Sequence, residues 1–172
     1  MARQLRERAE QHTETHLTLR DLRHVCWDPV PGAVVYVCEN PRVVEAAADA
    51  GMDAGLVCTS GNATTVVHTL LTALVEGGTR LYVRGDFDWA GVAMVERLLT
   101  RYPAQPWRMS AADYEQQVER ARDRRTPLQP LEGRPQTASW DPELAPSMNS
   151  FGMAVHEESA LDLLVQDLRQ RP

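Results

Sequence analysis

The chain has 172 residues and a mass of 19.3 kDa, with 43% hydrophobic and 24% charged residues. This composition fits one domain with its own core and excludes a disordered tail or a fibrous repeat. Its 18 basic and 24 acidic residues give a net charge of −6, which argues against a protein that coats DNA by bulk charge. All the cations are arginine: with no lysine in the chain, Schiff-base chemistry, a P-loop lysine and a lysine general base are excluded. Isoleucine is absent too, and the joint absence has the look of a GC-rich, bacterial genome rather than of a physical demand on the protein.

The apolar runs fall short of the ~20 residues a membrane span needs, and the arginine-rich start, 1–8, has no apolar segment behind it. A cytoplasmic protein without a membrane partner is expected. Three cysteines, Cys26, Cys38 and Cys58, are an odd number without C-x-x-C spacing, so neither a disulfide framework nor a zinc knuckle is indicated. Cys38 and Cys58 end apolar runs, where buried reduced thiols are expected.

Residues 1–25 read as a polar helix followed by a short amphipathic piece at 16–22, expected to be the remnant of a longer upstream region. The domain proper is expected over 26–172. Residues 33–38 form a continuous apolar run rich in β-branched side chains, the pattern of a strand buried on both faces, and it ends at Glu39-Asn40-Pro41. A helix over 43–50 closes at Gly51. A short strand, 56–58, leads through Thr59-Ser60-Gly61-Asn62 into a helix striped by Val66, Val67, Leu70, Leu71 and Leu74. A third strand, 81–84, runs into Gly85-Asp86-Phe87-Asp88-Trp89-Ala90-Gly91 and a helix marked by Val92, Val95, Leu98 and Leu99. A fourth strand is expected over 106–109, then a helix capped near Ser110. Five prolines between 127 and 146, with Gly133 among them, predict an irregular excursion over 126–146. A last helix, 157–169, carries Leu161, Leu164, Val165 and Leu168 on one face. Strand alternating with helix over short connections specifies an α/β class, a Rossmann-like parallel sheet flanked by helices on both faces.

In such a sheet the functional surface lies at the carboxyl ends of the strands. Glu39 follows the first strand, and Asp86 and Asp88 follow the third. Three carboxylates held together repel unless a hard divalent cation joins them, and Mg²⁺ suits a set of few carboxylates with open positions for water and phosphate oxygens. For Asp88 alone, capping of the helix beginning near Trp89 is an equal reading.

Val35-Tyr36-Val37-Cys38-Glu39-Asn40 followed by Gly85-Asp86-Phe87-Asp88-Trp89-Ala90-Gly91 resembles the Toprim domain. The nearer likeness is to the Toprim branch of type IIB topoisomerase A subunits, and within it to the C-terminal domain of the Wadjet anti-plasmid nuclease subunits, the JetD family. Leu17-Thr18-Leu19-Arg20, Cys58-Thr59-Ser60-Gly61, Trp140-Asp141-Pro142 and His156-Glu157-Glu158 also look like that family, so the resemblance runs over about 17–169. It implies that Glu39, Asp86 and Asp88 bind catalytic Mg²⁺ or Mn²⁺ for DNA phosphodiester hydrolysis. DNA, SMC-like subunits of a defence complex and a second copy of the chain are the partners it suggests. Type IIB topoisomerases attack DNA with a tyrosine on an upstream domain. None of Tyr36, Tyr82, Tyr102 and Tyr114 is placed like that nucleophile, so water activated by the cation is the expected one.

Around this core, Glu157 and Glu158 are candidates for outer metal ligands and His156 for proton transfer, set against the favourable placing of acids at a helix start. Asn40, Ser60, Gly61 and Arg84 are candidates for DNA phosphate: the first three lie at strand ends, with Ser60-Gly61-Asn62 expected to open a helix, and Arg84 stands two residues before Asp86. The arginines at 120, 122, 124 and 125 form the densest basic run. A haloacid-dehalogenase-type phosphohydrolase, which also uses Asp-x-Asp, is disfavoured because the pair here follows the third strand and lysine is absent. The alternative of another class is a catalytically silent DNA-binding or assembly module of a larger complex.

Overall fold

The computed structural model describes residues 2–24 and 30–170. Four strands, β1 (Val34–Cys38), β2 (Gly55–Cys58), β3 (Arg80–Val83) and β4 (Ala104–Pro106), form one all-parallel sheet in the order β2-β1-β3-β4. Cys26 lies outside the described residues.

The side-chain alternation of the strands divides the core into two layers. Val37, Leu81 and Val83 point to one face, where they meet Val67 and Leu71 of α4 (Thr65–Glu76) and Val92, Val95 and Leu98 of α5 (Trp89–Arg101). Tyr36, Cys38 and Tyr82 point to the other, against Val43 and Ala47 of α3 (Pro41–Asp49) and Leu164 and Leu168 of α8 (Leu161–Gln170). Right-handed crossovers require this division. The chain steps outward from β1 to β2 through α3, then reverses past β1 to β3 and β4 through α4 and α5, so the last two helices must lie opposite the first. The reversal opens a crevice between the ends of β1 and β3, the topological switch point.

The remaining elements extend the layer of α4 and α5. Helix α6 (Ala111–Asp123) starts in a capping box between Ser110 and Asp113 and buries Tyr114 and Val118 beside Leu144 and Met148 of α7 (Leu144–Phe151). A small antiparallel pair, β5 (Gln129–Pro130) with β6 (Met153–Ala154), closes this end. At the start of the chain, α1 (Ala2–Glu10) is polar, and α2 (Leu19–His24) packs beside α4 with Leu22 buried. No helix of the described residues is long and apolar enough to cross a membrane.

Four expectations shift. The fourth strand pairs at Ala104–Pro106, two residues early: Trp107 still donates its N–H to the Val83 carbonyl at 2.7 Å while its ring packs on Tyr36, and the backbone then turns away at Arg108 (φ 48°). Ser60-Gly61-Asn62 does not open a helix: Ser60 (φ 53°) and Gly61 (φ 91°) take left-handed backbone, and α4 begins only after Thr64. The proline-rich excursion ends in helix α7, since Pro146 sits in its first turn, where no intrahelical N–H bond is required. The last helix divides into a 3-10 turn, Glu157–Ala160, and then α8.

Candidate functional site

Glu39 leaves the end of β1 and Asp86 follows β3, on either side of the switch point. The backbone N–H of Asp86 donates to Glu39 Oε2 at 3.2 Å, so the two acid-bearing turns meet directly. Gly91 lets the first turn of α5 close onto the Asp86 backbone: a Cβ at that position would stand 2.2 Å from the Asp86 carbonyl oxygen. Asp88 accepts from the Gly91 N–H at 2.7 Å and caps α5, so the capping role foreseen for it is occupied.

A third segment is delivered by a single antiparallel bridge. Phe87 and Val155 exchange backbone hydrogen bonds of 2.9 and 3.2 Å, with the Phe87 ring fully buried against Tyr114. Antiparallel register then sets residue 156 opposite residue 86. His156 Nδ1 lies 2.9 Å from Asp86 Oδ2, and the Glu157 N–H donates to Asp86 Oδ1 at 2.8 Å. With a carboxylate as acceptor, Nδ1 carries the hydrogen, and the lone pair of the neutral ring is on Nε2. Glu158, exposed, accepts from the Asn40 side-chain amide at 2.7 Å. Among the described residues, Asp86, His156 and Glu158 form the group whose ligand atoms all lie within 4.8 Å of one another. The tightest potential metal cluster is thus a different triad from Glu39, Asp86 and Asp88, although Glu39 borders it.

The Glu39 carboxyl is pushed up to about 7, first by partial burial and then by the charges of Asp86, Glu157 and Asp88, against the hydrogen bond from the Asp86 amide. His156 is raised above its ordinary value chiefly by its hydrogen bond to Asp86. Each shift means that the folded chain holds a proton the unfolded chain has released. This stability is complete below the unfolded pKa values and is lost as pH rises through the folded ones. In EDTA, the melting temperature is therefore expected to fall between pH 5 and pH 8. Glu39 is only half-buried, so solvent screening holds its share to ~1–2 kcal/mol. Glu39→Gln should flatten that part of the slope; a profile that Glu39→Gln leaves unchanged would contradict the crowding described here.

Of the residues singled out for phosphate, Arg84 is fully buried and paired with Glu157, so it is no DNA contact. Its side chain lies on the inward α3/α8 face of β3, under the 3-10 turn. Ser60 and Gly61 stand in the β2–α4 loop, not at a helix terminus. Gly61 spends its N–H on the Glu39 carbonyl (3.3 Å) and Ser60 spends its own on Cys58 Sγ (3.3 Å). Asn40 caps α3, accepting from the Arg42 N–H. Glu157 is also fully buried, with both carboxylate oxygens engaged inside the protein, and so is not an outer metal ligand. Trp89 is buried under the Asp-x-Asp loop, and His68 bonds to Tyr102. In the basic run of α6, Arg120 and Arg124 pair with Asp162, and Arg122 lies over the Phe151 ring.

One feature had no signal in cysteine spacing. Cys38 and Cys58 are register partners on adjacent parallel strands, immediately behind Glu39, and Cys58 Sγ donates to the Glu39 carbonyl oxygen at 3.3 Å. A hydrogen bond from Cys38, then contacts from Ser60, pull the Cys58 thiol down to about 6, while Cys38 is raised. Cys38 is buried as expected, whereas Cys58 is only half-buried.

Fold and rim together define an α/β protein with a carboxylate–histidine cluster at the switch point of a parallel sheet. The chain belongs to the family described as "Protein of unknown function C-terminus (DUF2399)", which matches residues 15–168. No curated protein matches it.

Proposed function

We propose that this chain is a Toprim-type domain that hydrolyses DNA phosphodiester bonds with Mg²⁺ or Mn²⁺, as the nuclease domain of a JetD-like subunit in a Wadjet anti-plasmid defence system. The observation that carries the reading is the convergence of Glu39, Asp86, His156 and Glu158 from three chain segments at the switch point. The donor chemistry fits a divalent cation. Carboxylates and an imidazole share one rim, and burial first, then the charges of Asp86, Glu157 and Asp88, lift Glu39 out of the usual carboxylate range; a cation would offset the part that is charge repulsion. Asp86, Glu158 and His156 would hold the ion with Glu39 beside them, and the imidazole favours Mn²⁺ over Mg²⁺ within this set.

When bound, the ion supplies an activated water and Lewis-acid stabilisation of the phosphoryl oxygens. The protein's own part is to orient and to move protons. Asp86 fixes the His156 ring through Nδ1 and so presents the Nε2 lone pair at the rim as the ring's ligand atom, which leaves Glu39 beside the site as the group that takes a proton. Glu39 must be ionised to act, so activity is expected to rise through neutral pH. Asn40 orients Glu158 through its side-chain amide and is what remains of the four residues singled out for DNA phosphate. DNA, SMC-like subunits and a second copy of the chain are its proposed partners.

The silent-module alternative draws support from the cations, since Arg84 is buried and Arg120 and Arg124 are paired with Asp162. Supercoiled DNA incubated with the protein in Mn²⁺, Mg²⁺ or EDTA separates the readings. Nicking with either ion and none in EDTA is expected, abolished in Glu39→Ala and Asp86→Ala. DNA binding without nicking, by the protein combined with its partner subunits, would establish the silent module instead.

A further inference from the structure

Arg84 and Glu157 form a fully buried ion pair that is expensive in its own terms. Arg84 Nε donates to Glu157 Oε1 at 2.9 Å, but both terminal nitrogens, Nη1 and Nη2, are buried without a hydrogen-bond partner, and the guanidinium lies 5.8 Å over the Trp107 ring. A buried cation with two unsatisfied amino groups is poor for stability, and an apolar pair of the same volume would pack there at lower cost. The use of the pair lies at its other end. Glu157 Oε2 accepts the backbone N–H of Glu39 at 3.1 Å and of Asn40 at 2.6 Å, 118 and 117 residues away in sequence. The Glu157 N–H meanwhile holds Asp86 Oδ1. One residue therefore fastens both acid-bearing turns, one through its side chain and one through its backbone.

We propose that Glu157 is a positioning residue which, with Arg84 as counter-charge, sets Glu39 and Asp86 relative to one another without entering the metal shell. The part that concerns metal rests on reading the rim as a cation site. The alternative is a pair that serves stability alone, and two double variants tell them apart. Arg84→Met/Glu157→Leu removes both charges and the acceptor for the Glu39 and Asn40 amides. Arg84→Met/Glu157→Gln removes both charges but keeps an oxygen at that place.

The measurements are thermal melting, amide hydrogen exchange at Glu39 and Asn40, and Mn²⁺ binding by electron paramagnetic resonance with the ion alone. The Leu double variant is expected to melt near the parent, the loss of the buried charges offsetting the two amides left without an acceptor, yet to exchange both amides at least tenfold faster and to bind Mn²⁺ at least tenfold more weakly. The Gln double variant should recover both properties to within about threefold of the parent. Equal exchange and equal Mn²⁺ affinity in the two double variants would overturn the proposal. Should the Leu double variant not fold, parental exchange in the Gln double variant together with lost Mn²⁺ affinity would overturn it as well. If the parent takes up no Mn²⁺, the cation reading falls, while exchange at Glu39 and Asn40 still decides what Glu157 does.

Discussion

Gly91→Ala is expected to destabilise the fold by ~3 kcal/mol or more, a drop of ~6–12 °C in melting temperature for a chain of this size. The added Cβ would lie 2.2 Å from the Asp86 carbonyl oxygen and 2.8 Å from its nitrogen, and neither backbone atom can swing aside as a side chain would. Relief requires moving the Asp86 turn, which also carries the bridge from Phe87 to Val155 and with it the placement of His156. Gly85→Ala provides the contrast. Its Cβ would meet the terminal methyl of Met94 at 2.8 Å, which can rotate away, and Glu39 Oε2 at 3.0 Å, which must give ground. That variant should stay folded, within ~1.5 kcal/mol of the parent, and lose Mn²⁺ affinity. Thermal melts of both proteins check the pair. A Gly91→Ala protein as stable as Gly85→Ala would mean that the two turns are not packed as described.

Asp86→Asn is the second substitution with a large expected effect, and its signature separates chemistry from folding. The asparagine oxygen can still accept the Glu157 N–H, but its NH₂ faces His156 Nδ1 where the carboxylate stood. The ring must then accept at Nδ1 and carry its hydrogen on Nε2, which removes the lone pair from the rim. Loss of a ligand charge and the wrong tautomer together should cut DNA cleavage by ~10³-fold or more. Stability should hold or rise, because one of the charges that crowd Glu39 is gone, and the Glu39 carboxyl should titrate lower than in the parent. Carbon-13 titration of Glu39 and the nicking assay together check this. Cleavage near the parental rate would remove Asp86 from the site.

The sheet and the first two acids were legible because their signals are local. The apolar run Val34-Val35-Tyr36-Val37, rich in β-branched side chains, announces a strand buried on both faces, with Glu39 just past its end, and Asp86 stands three residues past the end of β3. Glu157 was legible only as an acid at a helix start. Its partners stand 73, 117 and 118 residues away, and neither periodicity nor spacing records a bond of that range. Arg84 misled for the same reason, since two residues before an Asp-x-Asp it looks exposed, whereas strand alternation turns it inward with Tyr82 toward α8. Ser60-Gly61 misled through turn chemistry: both residues take positive φ, so the chain bends back before α4 begins. The pairing of Cys38 with Cys58 follows from parallel register alone, which a linear reading does not supply.

The bridge from Phe87 to Val155 has a consequence for the order of events during synthesis. Glu39 and Asp86 emerge from the ribosome early, together with every strand of the main sheet, whereas His156, Glu157 and Glu158 follow only after α7. A nascent chain that has emerged as far as α7 can pair its four strands and join Asp86 to Glu39, but it lacks Glu157, which fastens both turns. Domains fold as units during synthesis once their sequence is available, and here the distant contacts are the last to become available. The cluster of Asp86, His156 and Glu158 is therefore completed only when 156–158 dock, which makes this rim one of the last parts of the fold to form.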